Sequence, residues 1–250
     1  MGDKDKLRRA TYNMWTFIVS KLISSMGSSI YTFGISFYII SATGSATNFA
    51  MNLVCSILPR TLFAPIAGYV ADTFNKKIII VFAQIFSALS VSGLLIYSLI
   101  EGISLTAIYI TTALLALVSS FSGVTFTSAI ANLVDPERIQ KAVSFNQTSL
   151  SLATIGGPAI GGLLYGLVSL PVFLTIFIIA FVIATILEAT MDFKLYTKKK
   201  ENAKKEKMLQ SIKEGIHYLK TNELISRIVI IALIINFFFF ILYPLTFLKL

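Results

Sequence analysis

The sequence predicts an all-α integral membrane protein, with a six-helix bundle followed by a seventh transmembrane helix. Three observations carry this. The chain of 250 residues is 56% hydrophobic and only 13% charged, against roughly 25% charged in soluble domains, and its mean hydropathy is +0.81. A water-soluble fold leaves too much of its surface wet to hide that quantity of apolar side chain. Apolar runs long enough to cross a bilayer, about 20 residues, recur along the chain. Lysine and arginine crowd onto alternate connections between those runs.

The runs fall near 14–40, 48–71, 78–100, 104–132, 142–168, 172–191 and 224–247. The first follows a basic start, as a secretory signal does, but a signal core is only about 7–15 residues. Here the apolar run covers residues 14–40, so it is a retained helix. SATGSAT at 41–47, FNKK at 74–77, EG at 101–102, VDPERIQK at 134–141 and SLP at 169–171 separate the runs. Inside lipid every backbone polar group needs an internal partner, so runs of this length are helices.

Orientation follows from the basic residues. Lys4, Lys6, Arg8 and Arg9, then Lys76 and Lys77, then Arg138 and Lys141 lie on one side, joined by nine lysines between Lys194 and Lys220. The segments 41–47, 101–103 and 169–171 contain none. The positive-inside rule then predicts a multi-pass protein of the cell membrane with a cytoplasmic N-terminus. The net charge of +9 is an orientation signal and not a nucleic-acid footprint.

Three regions are expected: a bundle over 1–191, a basic cytoplasmic linker over 192–223, and a seventh transmembrane helix over 224–250. In the linker, Leu209, Ile212, Ile216 and Leu219 recur at helical spacing with Lys213 and Glu214 off the stripe. That pattern predicts a short amphipathic helix on the inner membrane surface. His217 needs no role beyond an ordinary connector.

Enzyme chemistry has little foothold. One cysteine (Cys55) and one histidine (His217) exclude a disulfide framework, a Cys- or His-based metal site and a His-dependent triad within the chain. No nucleophile elbow, phosphate-binding loop or metalloprotease motif is present. The expected partner is the lipid bilayer, with no cofactor, no metal and no nucleic acid.

Two cations lie inside predicted spans. Lys21 is about 12 Å from the inner start of the first, and Arg60 about 18 Å before Asp72, at about 1.5 Å per residue. A charge at such depth costs on the order of 3 kcal/mol, so each needs a cavity or a partner. Lys21, Ser25, Ser28 and Thr32 form one polar stripe, and Asn52, Ser56 and Arg60 another. These seven residues are the candidate cavity lining. Two readings stay open for Arg60, a structural contact to carbonyls or an acid, and a substrate-facing role. For Lys21 the competing reading is snorkelling toward the inner interface. Asn146 and Gln147 are gate or packing residues, and Phe33 and Phe37 fit a core better than a drug platform.

GYVADTFNKK at 68–77 resembles the major facilitator superfamily signature Gly-x-x-x-Asp-Arg-x-Gly-Arg-Lys between the second and third helices. Gly68, Asp72, Lys76 and Lys77 match; Thr73 replaces the Arg and Asn75 the Gly, asparagine tolerating a left-handed turn. GGPAIGG at 156–162 resembles the Gly-Pro-x-x-Gly-Gly element of exporters and antiporters. There Gly157, Gly161 and Gly162 allow close helix approach and Pro158 permits a bend, although tight packing alone explains the same residues. SKLISSMGSSIYTFGISFYIISATGSA and LVDPERIQKAVSFNQ resemble the branch containing macrolide exporters and related drug or siderophore exporters.

The resemblance implies a secondary-active exporter of amphipathic drugs such as macrolides, working by alternating access, with protons as a possible coupling ion. Siderophores or other metabolites are the alternative substrates. It implies that Asp72 helps latch the cytoplasmic side against a C-terminal bundle, and that Gly68 permits close helix approach. The family is built from two six-helix bundles with the substrate between them. Only one bundle and a seventh helix are legible in this sequence, an incomplete 12-helix fold. The expectation is that this half is inactive alone; a non-transporting truncated membrane protein or a half-transporter partner is the rival. Glu101 and Glu188 lie near span ends, so no carboxylate is expected within the membrane core to carry a proton.

Overall fold

A computed structural model describes residues 2–196 and 208–247, with side chains for 2–196, 213–215 and 217–235. Contacts divide the chain into two units, Met1–Glu201 and Asn202–Leu250.

In the first unit, α1 (Asp3–Thr43), α2 (Ala46–Thr73), α3 (Lys76–Ile100), α4 (Leu105–Leu133), α5 (Ile139–Leu167) and α6 (Leu170–Thr190) follow one another. A single 3₁₀ turn, Pro136–Arg138, precedes α5. All six helices are long and apolar enough to cross a membrane, and no strand occurs among the described residues.

The connections stop helices by side-chain chemistry. Gly44, at φ 64°, ends α1 in the left-handed conformation that glycine adopts without steric cost. Ser45 caps α2 by accepting from the Asn48 amide at 3.3 Å, and Ser104 caps α4 through the Ala107 amide. Asn75 corrects the sequence expectation. Its φ is −67°, not left-handed, and its Oδ1 accepts from the Lys77 amide as the N-cap of α3. With only two residues between α2 and α3, capping the new helix satisfies a donor that a left-handed turn would have left open.

The six helices pack with internal symmetry. Exchanging α1 with α4, α2 with α5 and α3 with α6 turns the α1–α5 contact into α2–α4 and α3–α4 into α1–α6, and returns α3–α6 to itself. Because successive spans alternate in direction, the two triplets are an inverted repeat. Two apolar clusters hold the ends. Tyr31, Ile35, Phe173 and Phe177 centre one; Phe17, Phe126, Ile130 and Met191 centre the other.

α1 begins eleven residues before the predicted span, and its extra turns lash the basic end of the bundle together. Asn13, fully buried, donates to the Leu133 and Asp192 carbonyls, both at 3.1 Å, and accepts from the Asp192 amide. Arg9 donates to the Thr190 carbonyl at 2.6 Å, Tyr12 to the Thr190 hydroxyl, and Arg138 to the Thr11 hydroxyl. Asn13→Ala is expected to lower bundle stability by about 2 kcal/mol, because it orphans buried backbone groups at two helix ends. A melting curve in detergent matching the parent protein's would refute that.

In the second unit, α7 (Met208–Thr221) and α8 (Glu223–Phe247) are separated by Asn222. Asn222 caps α8 through the Ile225 amide at 3.2 Å, and Arg227 pairs with Glu223 one turn away. The predicted amphipathic helix coincides with α7, but its apolar stripe rests on Leu209, Ile212 and Ile216, whose side chains lie outside the described residues. α8 is a helix over the residues from which a seventh transmembrane helix is expected.

Candidate functional site

A cavity of about 950 Å³, lined by both polar and apolar side chains, opens in the six-helix bundle. Lys21, Ser25, Ser28, Thr32, Ser56 and Arg60 all line it, so the two polar stripes of α1 and α2 meet on one face. Asn52 departs from that group. It has no exposed surface, donates to the Ser36 hydroxyl at 2.8 Å and the Thr32 carbonyl at 3.3 Å, and accepts from the Thr112 hydroxyl at 2.8 Å. All its contacts run between α1, α2 and α4. One amide offering donors and an acceptor in a dry interior satisfies three polar groups at once, which a cavity-facing position could not do. Asn52 is therefore a strut and not a lining residue.

Lys21 does not snorkel. It is 7% exposed, its Nζ lies 5.3 Å from the centre of the Phe126 ring, and it forms no ion pair within 4.0 Å among the described residues. Arg60 sits near the middle of α2, ~20 Å from either helix end, and its side chain is exposed into the cavity. Its backbone carbonyl accepts from the Ser120 hydroxyl at 3.2 Å. The structural contacts to carbonyls or an acid are absent for its guanidinium among the described residues.

The bundle interior does hold a carboxylate. Glu188 lies in the last turn of α6 yet has no exposed surface. A helical side chain leans toward the N-terminus of its own helix, so a residue near a span end reaches back into the bundle. Its Oε1 accepts from Gln84 Nε2 at 2.9 Å, and the same nitrogen donates to the Ser24 hydroxyl at 2.7 Å. Its Oε2 has no hydrogen-bond partner. Glu188 lies near the buried Lys21 without forming an ion pair among the described residues; it is an end-of-span residue, as its number suggests, whose carboxyl is nonetheless buried. Sequence reading missed Gln84, Ser24 and Glu188 as a group. Gln84 is the one side-chain amide in α3, and that was the signal available.

The remaining motifs fall elsewhere. Asp72 is exposed at the end of α2 and makes no ion pair among the described residues. Lys76 donates to the Ser128 carbonyl at 2.7 Å and hydroxyl at 2.9 Å, tying α3 to α4. The Lys77 amide is held by Asn75. A Cβ at Gly68 would meet nothing within 4 Å, so close approach within this bundle is not its role. In α5, by contrast, a Cβ at Gly161 would lie 2.9 Å from both the Gly34 nitrogen and the Ile30 carbonyl oxygen. One at Gly157 would meet Ser29 Oγ at 2.0 Å, and one at Gly162 the Phe37 ring at 3.3 Å. Pro158 lies within the helix between them. The α5 motif is a seam against α1. Asn146 is buried with an unpartnered Oδ1 while Gln147 is exposed. Phe33 lines the cavity, and Phe37 packs against Phe49 and Tyr165.

The family model described as "Transmembrane secretion effector" matches residues 6–248. The chain belongs to this family of the major facilitator superfamily. Its members are transporters and not enzymes. Macrolide efflux protein A of Streptococcus pyogenes is 26% identical over 164 residues, 64% of this chain and 40% of that protein. The uncharacterized MFS-type transporter YfiS of Bacillus subtilis (strain 168) is 26% identical over 236 residues, 92% of this chain and 55% of its own. The chain thus spans about half the length of the curated relatives it matches. Among solved structures, a bacterial homologue of the iron transporter ferroportin, outward-facing with soaked iron, superposes with a TM-score of 0.52 at 21% identity. That match covers 70% of this chain and 48% of the other. It shows a shared fold.

Proposed function

We propose that the six-helix bundle is the N-terminal wall of a secondary-active exporter that moves amphipathic small molecules by alternating access. The N-terminus lies in the cytoplasm, α8 is the seventh span, and protons are the candidate coupling ion. The observation that carries this reading is the cavity that brings Lys21 and Arg60 together with a set of hydroxyls in an otherwise apolar bundle. A structural membrane protein gains nothing from holding Lys21 and Arg60 against lipid-depth costs, whereas a transport pathway needs a wetted face. The inverted repeat supplies the architecture on which bundles rock. The macrolide efflux relatives support a substrate of drug-like size. The opposite wall is a second six-helix bundle, against which Asp72, Lys76 and Lys77 form the cytoplasmic latch.

The test is efflux of the neutral amphiphile Nile red from cells stripped of their own exporters. Cells carrying the intact transporter are expected to expel it, and Ser28→Trp, which fills the cavity, is expected to reduce efflux at least tenfold with unchanged membrane content. Unimpaired efflux by Ser28→Trp would remove the cavity from the pathway. No efflux by the intact protein would favour a non-transporting partner.

A further inference from the structure

The cavity wall presents cations and hydroxyls but no carboxylate. The side chains of Lys21, Ser25 and Arg60 make no hydrogen bond or ion pair among the described residues. Lys21 is 7% exposed and carries no hydrogen bond or ion pair among the described residues. Ser25 Oγ is buried with no hydrogen-bond partner. Arg60 holds its guanidinium at mid-helix, exposed to the cavity, with no hydrogen bond or ion pair among the described residues. Buried polar groups and membrane-depth charges left unsatisfied are costly, and all three gain from one incoming oxyanion.

Glu188 is the acid that could cancel this field, and its position limits it. It lies behind the wall, fully buried, with one oxygen taken by Gln84. It compensates at most Lys21, which leaves Arg60 as the uncompensated charge facing the cavity. α4 and α5 add hydroxyls and apolar groups but no ionisable side chain to the lining. A guanidinium in a low-dielectric site grips a carboxylate through paired charge-assisted hydrogen bonds.

We propose that Lys21, Ser25 and Arg60 form a subsite for an anionic group of the transported molecule, a carboxylate or comparable oxyanion. The pathway then takes amphipathic organic anions, with the apolar body against Phe33, Leu53 and Ile57. A basic amine gains nothing from this wall. The inference rests on the transport reading above and narrows its substrate class.

The test uses two xanthene dyes of like skeleton and opposite charge, fluorescein and rhodamine 6G. Each is titrated at pH 7.5 onto the intact protein in nanodiscs, with empty nanodiscs subtracted. Fluorescein is expected to bind at least tenfold more tightly. Arg60→Gln is expected to weaken fluorescein by about tenfold or more and Arg60→Lys to retain part of the affinity. Arg60→Glu is expected to invert the preference toward rhodamine 6G, a gain that misfolding cannot produce. Equal binding of both dyes, or a rhodamine preference in the parent protein, would overturn the anion subsite and leave the Nile red result standing. Binding of neither dye would also overturn it. Fluorescein binding indifferent to all three substitutions would place the anion elsewhere.

Discussion

Gly161→Leu is expected to prevent assembly of the bundle, leaving little monodisperse protein after extraction in mild detergent. The Cβ alone would sit 2.9 Å from two backbone atoms of α1, the Gly34 nitrogen and the Ile30 carbonyl oxygen. Backbone cannot rotate away, so the helices must part along the whole seam, and membrane helices rely on that close packing for association. Gly161→Ala is expected to cost about 1–3 kcal/mol. The neighbouring Gly162→Ala meets only the edge of the Phe37 ring, at 3.3 Å; a ring can turn, and the loss should stay within about 1 kcal/mol. The measurement is the melting temperature of the monodisperse fraction for the three variants. Equal effects at 161 and 162 would mean that the α1–α5 seam is not where the bundle is tightest.

Glu188→Ala is expected to destabilise the bundle by about 1–3 kcal/mol, the range for leaving a buried hydrogen-bonding group without its partner. The loss has two sources. Gln84 Nε2 keeps only Ser24 as acceptor, and Lys21 keeps no carboxylate to balance its charge in the interior. Glu188→Gln preserves shape and one acceptor, so its cost should be smaller. The decisive variant is Lys21→Met combined with Glu188→Leu, which removes both charges and leaves apolar side chains. It should be more stable than the sum of the single changes predicts, by at least about 1 kcal/mol of coupling. Strict additivity of the two single variants would show that the two charges do not depend on each other.

Much of the molecule could be read along the chain. The six spans and their breaks follow from the fact that lipid tolerates only runs of apolar residues with internally bonded backbone. Ser45, Gly44 and Ser104 end or start helices by local rules that need no third dimension. The two polar stripes were legible too, because helical periodicity alone puts Lys21, Ser25, Ser28 and Thr32 on one side of α1.

What periodicity could not supply was the partner of each face. Asn52 shares a stripe with Ser56 and Arg60, yet it bonds to α1 and α4 in the dry interior while they face the cavity. Glu188 looks like an end-of-span residue by its number and is fully buried because its side chain reaches back toward α3. Gly68 and Gly161 both belong to glycine motifs. Only the second has another backbone pressed against it.

The sequence by itself determined a helical membrane protein of known grain: which segments span, where they turn, which residue types cannot face lipid. Those properties depend on each residue's transfer energy and its helical phase, and both are local. The tertiary structure decided which polar groups meet in one cavity, which are consumed as struts, and that a carboxylate stands behind Lys21. Those outcomes depend on distances between helices far apart in the chain, set by packing at seams such as Gly34 against Gly161, and no local rule contains them.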